Sequence, residues 1–330
     1  MSLADAFAGK SVLVTGGLGF IGSNLAIELA RLGADVTVLD ALIPQHGGHR
    51  FNVEPVRDRL NIEISDMRDA DALEALVRNR DFIFHLAGQV SHGDSMREPQ
   101  LDLGVNCVST INLVEACRNL NLRARLVYTS TRQVYGVPNT LPVTEEHPTQ
   151  PVDVNGINKL AAEYYHLLYS SVYGVRSTVL RLTNTFGPRL QIRNDRQSFI
   201  GIMIRQALRG ERIRLFGTGK QIRDFNYVDD VVSALLLAAT TDACVGRVWN
   251  LGSPWRCSLL DFVSVLSEFC DVEWEVVPFP EDRKLIDIGD YYGDYSAFSD
   301  ATGWRPEVSL REGLGRTIAF LREHAEIYWK

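Results

Sequence analysis

Short runs of apolar, often β-branched residues alternate along the first half of the chain with longer stretches whose apolar positions recur every third or fourth residue. The runs 11–15, 36–40, 62–64, 82–85, 126–129 and 177–182 read as strands, and their alternation with helical stretches implies a sheet with helices on both faces. The helical spacing predicts crossover helices over 21–32, 70–77, 105–120 and 158–172. Strand, helix and strand in succession require parallel pairing. Residues 1–184 are therefore expected to form an α/β domain, a Rossmann-like doubly wound parallel sheet.

Beyond residue 184 the pattern loosens. Glycine and proline punctuate it at Gly187, Pro188, Gly210, Gly217, Gly219, Pro254, Pro278, Pro280 and Pro306. Short elements between such breaks predict a smaller C-terminal α/β substrate domain over 185–330. The segment 225–239 returns to helical character, and 225–250 is expected to pack back on the first domain.

Composition narrows the function. The chain has 330 residues, 45% hydrophobic and 23% charged, the balance of a globular protein with a sizeable core. Its net charge of −7 comes with scattered basic residues, so no cationic footprint for nucleic acid exists. No apolar run is long enough to span a bilayer, and no leader pattern opens the chain, which points to a cytoplasmic protein off the membrane. The five cysteines lack metal-ligand spacing and read as buried thiols. His46 and His49 have no acidic or cysteine cluster beside them, so no metal site is expected.

The clearest chemistry is the run from Ser11 to Leu25, where Gly16, Gly19 and Gly22 link a strand to a helix. Such a turn lets backbone approach a pyrophosphate and presents a helix N-terminus to an anion. Asp40 ends the next strand, where a carboxylate accepts bonds from adenosine ribose and repels a 2′-phosphate, favouring NAD. Asp66 and Met67, after the third strand, are placed to meet adenine, with a helix-capping role as the alternative for Asp66.

The glycine spacing, together with His85-Leu-Ala-Gly88, Val134-Tyr-Gly136, Arg181-Leu-Thr-Asn184, Gly187-Pro188 and Arg223-Asp-Phe-Asn-Tyr-Val-Asp-Asp230, resembles the extended short-chain dehydrogenase/reductases that process nucleotide sugars. The resemblance spans nearly the whole chain. It implies that Gly16, Gly19, Phe20, Ile21, Gly22, Asp40, Asp66, Met67, Leu86, Ala87, Asn106 and Lys159 surround NAD. It implies a nucleotide-diphosphate sugar as substrate, with Asn184 and Arg223 at the diphosphate, Arg283 near the nucleotide, and Arg214 and Phe216 beside the base. Gln89 belongs to the substrate side in the same reading. The helices 105–120 and 158–172 would form a homodimer interface, as this pair does in the family.

The chain departs from that family at its centre. Thr131 supplies the expected hydroxyl and Lys159 the lysine, but Asn155 stands where the family places its tyrosine base. An amide does not titrate, so Asn155 cannot remove a proton. Lys159 and His92 are the alternatives, with an idle loop histidine the competing reading of His92. Arg132-Gln133 replaces the acidic residues of the dehydratases and decarboxylases, and Arg132 either faces a sugar carboxylate or lies in solvent. Three functions follow. The first is epimerisation through transient oxidation by bound NAD. The others are net oxidoreduction with exchangeable NAD, and non-catalytic binding of NAD and nucleotide sugar.

Overall fold

The computed structural model describes residues 2–44, 46–193 and 198–329. The six expected strands form as β1 (Ser11–Thr15), β2 (Asp35–Asp40), β3 (Leu60–Ile64), β4 (Phe82–His85), β5 (Arg125–Thr131) and β6 (Arg176–Leu182). Three short strands follow outside their sheet, β7 (Asn184–Phe186), β8 (Ile213–Phe216) and β9 (Ile222–Tyr227), before β10 (Val248–Asn250) returns to it beside β6. The seven-stranded order is β3-β2-β1-β4-β5-β6-β10, and every neighbouring pair is parallel. The chain runs outward from β1 through β2 to β3, then crosses back to β4 on the other side. Loops leaving β1 and β4 consequently diverge and open a crevice at the carboxyl ends of the strands.

The helix Val228–Thr240 packs Val231, Leu235 and Leu236 into the core formed by Val12, Val14, Leu25 and Val36. A second core gathers Phe186, Ile200, Phe225, Phe262 and Leu314. It lies with β7, β9 and β11 (Arg256–Ser258), which make a three-stranded sheet, while β12 (Trp274–Val277) pairs with β8.

Several boundaries differ from the sequence pattern for physical reasons. Within 225–239, Phe225–Asn226–Tyr227 belong to β9, because Phe225 and Tyr227 alternate into the second core and the helix begins only at Val228. The expected helix 105–120 starts earlier, at Pro99–Leu103, and passes through a π turn at Gly104–Val108 before Ser109–Leu120. The helix expected at 158–172 spans Val154–Tyr173, capped by Asp153, whose carboxylate accepts from the Gly156 N–H at 2.6 Å. It stops at Gly174, whose φ of 76° is open to glycine at little cost.

Two of the motif residues brace this helix from below. Arg181 pairs with the buried Glu163 at 2.6 Å and donates to the Tyr135 hydroxyl, also at 2.6 Å, which in turn donates to Asn250 at 2.7 Å. A buried charge persists only when paired and hydrogen-bonded, and this one is both.

Candidate functional site

The site starts at the turn after β1. Gly19 caps the helix Phe20–Arg31 with no side-chain hydrogen bond, which leaves the first N–H groups of a twelve-residue helix for an anion. The glycines are sterically required. A Cβ on Gly22 would stand 2.2 Å from the Gly16 carbonyl oxygen, and one on Gly16, whose φ is +66°, would meet Ala87 backbone at 2.8 Å. Phe20 and Ile21 line the cleft that opens here, which has a volume of about 380 Å³, within the range of small-molecule sites.

Asp40 closes one end of the cleft. Its two carboxylate oxygens accept from the backbone N–H groups of Leu18 (3.0 Å) and Leu42 (2.9 Å). Burial nonetheless raises its pKa, because those two bonds only partly offset the lost hydration. Asp66 and Met67 form the adjoining wall. Asp66 is not the cap of the next helix, a role taken by Asp69; its carboxylate grips Arg68 through Nη2 at 2.6 Å and is held below its ordinary pKa chiefly by that bond. Leu86 and Ala87 continue the wall and donate their N–H groups to the Thr15 hydroxyl, both at 3.2 Å. The fit to a dinucleotide rests on three features: free helix N–H groups, glycines that admit no side chain, and a carboxylate at the end of β2.

At the inner end Thr131, Arg132, Asn155, Lys159 and Asn184 share the same cleft. Lys159 is buried, donates to the Thr129 carbonyl at 3.2 Å and lies 5.0 Å from the Tyr128 ring. Burial pulls its pKa down to about 8, against the opposing pull of Asp102 and Glu163. Asn155 is buried and its amide nitrogen is engaged twice: Nδ2 donates to the Gln89 carbonyl at 2.8 Å and to Asp102 at 3.1 Å. Asn158 donates to the other oxygen of Asp102 at 2.7 Å.

Gln89 and Asn106, expected against substrate and cofactor, lie behind the wall instead. Asn106 sits on the π turn and exchanges two hydrogen bonds with the Gln89 backbone, and the Gln89 side chain clamps the backbone of Ser91. Arg214, Phe216, Arg223 and Arg283 do not line this cleft either. Arg223 is turned inward onto the carbonyls of Ile222 and Gly289 and pairs with Asp287 at 3.4 Å. Arg214 is exposed and paired with Glu275 at 3.2 Å. Phe216 packs on Phe279, with the Arg283 guanidinium 5.3 Å from its ring centroid.

Arg132 donates through Nη2 to Asn184 at 3.0 Å and lies 5.4 Å from the Tyr291 ring centroid. Its Nη1 is buried without a partner, and no carboxylate among the described residues comes within ion-pair distance. His92, half-buried, lines the cleft and places Nδ1 2.9 Å from the buried carboxylate of Asp153.

Residues that the sequence did not single out carry much of the arrangement. Asp153, Asp102 and Ser95 gave no signal, because the partners that matter here, His92 for Asp153 and Asn155 for the other two, are far away in the chain. The loop that contributes Ala41, Ile43, Gly47 and Gly48 to the cofactor end was likewise unmarked.

Comparison with known proteins bears on this geometry. Residues 12–252 match the model of the "NAD dependent epimerase/dehydratase family". A putative UDP-glucose 4-epimerase of Methanocaldococcus jannaschii is 31% identical, the match covering 95% of this chain and 99% of that protein. The UDP-glucose 4-epimerase of Thermotoga maritima, solved with UDP-glucose, superposes with a TM-score of 0.86 at 31% identity, covering 96% of this chain and 99% of that one. The Thermus thermophilus UDP-glucose 4-epimerase in complex with NAD gives a TM-score of 0.83 at 30% identity, covering 94% and 99% respectively.

Proposed function

Because the chain belongs to the NAD dependent epimerase/dehydratase family, we propose that it is a nucleotide-sugar epimerase that oxidises one sugar carbon transiently and restores it from the opposite face. The observation that supports this reading is the continuity of one cleft, from the glycine turn and Asp40 at one end to Thr131, Lys159 and Asn184 at the other. A dinucleotide held along the glycine end by the helix N-terminus and Asp40 would present its nicotinamide to the inner end. Bound NAD supplies the acceptor, and then the donor, for the hydrogen on the sugar carbon.

The chain's own groups hold the substrate and handle the proton. In this reading the Thr131 hydroxyl bonds a sugar oxygen and Lys159 holds the cofactor ribose, supported by their sharing the cleft. Net elimination is disfavoured by Gln133, whose amide is buried on Asp153 at 2.9 Å and has no proton to give a leaving hydroxyl.

The homodimer belongs to the same proposal. Ile157, Tyr164, Leu168 and Val172 are each at least half exposed on the helix Val154–Tyr173, at helical spacing. An apolar stripe of this kind on a long helix is the face that a second copy would cover.

The test mixes the protein with UDP-, dTDP-, GDP- and CDP-sugars, uronates included, in deuterated water, followed by NMR with the reduced-nicotinamide absorbance recorded in parallel. Inversion at one carbon is the expected result. Accumulation of an oxidised sugar with matching NADH would favour a dehydrogenase. Binding without any conversion would overturn the catalytic reading.

A further inference from the structure

We propose that His92, oriented by Asp153, is the acid–base group that takes and returns the sugar proton where the family's tyrosine is missing. The inference rests on the epimerase reading and gives it the group it lacks.

The geometry sets out the roles. Ser91 caps the short helix His92–Arg97 by accepting from the Asp94 N–H at 3.1 Å, which fixes His92 at the first position of that helix. The Ser95 hydroxyl donates to the His92 carbonyl at 2.7 Å and accepts from the Asn155 N–H at 3.2 Å. The backbone of His92 is thereby tied, through one hydroxyl, to the backbone of Asn155, the position that corresponds to the family's base. His92 and Asn155 line the cleft together with Thr131 and Lys159.

Asp153 is equipped to orient the ring. Burial pushes its carboxyl up, yet the His92 imidazole, the Gly156 N–H and the Gln133 amide outweigh that and hold it below its ordinary pKa. It is therefore a fixed anion at the mouth of the helix Val154–Tyr173. The Nδ1–Oδ2 separation is 2.9 Å, with the ring N–H not yet aligned on the oxygen, the loose geometry that acid–base pairs show before substrate enters. A carboxylate at Nδ1 stabilises the tautomer protonated there, which leaves the lone pair on Nε2. No described residue bonds Nε2.

The step balances without a further reactant. The sugar O–H bond breaks and its proton passes to Nε2, while the O–H electron pair becomes the second bond of the carbonyl. The hydrogen on the same carbon leaves with its electron pair for the nicotinamide. On the return, both come back and the proton leaves Nε2 for oxygen. Asn155 and Gln133 cannot take the proton, and Thr131 lacks a base beside it: its hydroxyl accepts from the Gln133 N–H at 3.2 Å.

The test uses the full-length protein with NAD and the sugar that the NMR panel identifies. His92→Gln is expected to lower kcat by about 10²–10⁴, the usual share of acid–base catalysis, with KM nearly unchanged. His92→Ala should regain rate when imidazole is added. Asp153→Asn keeps a helix-capping residue and should still lower kcat, because it frees the ring to take the other tautomer. Independently of turnover, ¹⁵N–¹H spectra should show His92, assigned by its loss in His92→Gln, protonated at Nδ1 and bare at Nε2. A His92→Gln enzyme within about threefold of wild-type kcat, or a His92 bare at Nδ1, overturns the dyad and leaves the epimerase standing. A wild-type protein that binds sugars but converts none removes both.

Discussion

Asn155 and Asp102 are joined by a buried hydrogen bond of 3.1 Å, Nδ2 donating to the carboxylate. Asn155, which we propose stands at the position of the family's base, is thus one of two amides that donate hydrogen bonds to a carboxyl group with no exposed surface.

Placing a tyrosine at this position should therefore cost stability. Asn155→Tyr leaves Asp102 with Asn158 as its remaining amide donor. The expected loss is about 1–3 kcal/mol of stability for the lost partner alone, read from urea unfolding, with no rise in turnover.

Cofactor binding depends on the absence of a single atom. Gly22→Ala puts a Cβ 2.2 Å from the Gly16 carbonyl, so the turn must open at the point where a pyrophosphate would rest. We expect NAD affinity to fall by about a hundredfold, roughly 2.8 kcal/mol, measured by calorimetry. Gly33→Ala, at a position with φ +83° away from the cleft, should cost stability and leave NAD affinity alone.

Asp224 makes stability depend on pH. Burial raises its pKa to about 7, outweighing the Gly293 N–H and the charges of Arg132 and Arg223, and its Oδ1 has no partner. Between about pH 4 and pH 7 the folded protein keeps a proton that the unfolded chain has released, so stability falls as pH rises through that window. The penalty is complete above about pH 7. Asp224→Asn should be neutral near pH 4 and more stable by up to about 4 kcal/mol at pH 8, in melts run across that range.

Arg132 should discriminate among sugars. Its charge has no carboxylate partner among the described residues, and Nη2 is held by Asn184 within the cleft. A substrate carboxylate would supply the missing anion. Arg132→Ala is expected to weaken binding of uronic-acid nucleotide sugars by about tenfold or more, roughly 1.4 kcal/mol, and to spare their neutral counterparts. Equal weakening of both would instead place the guanidinium at the diphosphate.

Charges on the apolar stripe should separate the proposed dimer. Tyr164→Glu with Leu168→Glu, both on the exposed side, should give a monomer in sedimentation velocity with an unchanged circular dichroism spectrum.

The sheet was legible because its signal is local: continuous apolar runs and helical spacing identify buried strands and crossover helices one at a time. The positions of the glycine turn and Asp40 were legible for the same reason, since they follow from the strand and helix that flank them. Arg223 and Gln89 were not. Each has the right residue type, but Arg223 is turned by Gly289 and Asp287, distant in sequence, and the Gln89 side chain is turned onto the Ser91 backbone, a local choice that residue type alone does not announce. His92 was visible as a candidate, while Asp153, which orients it, lies sixty-one residues further along the chain. Spacing along a chain does not encode such a meeting.

The π turn at Gly104–Val108 works as a phase shifter. Upstream of it Asp102 faces Asn155 and Asn158, and downstream Leu113, Val114 and Cys117 face the core beneath the sheet. A regular helix advances about 100° per residue, so one residue more or less sets which way all that follows will point. Deleting a residue here would leave the helix content nearly unchanged and turn the downstream apolar face out of the core. The active-site wall and the packing of the sheet are geared together through that one loosened turn.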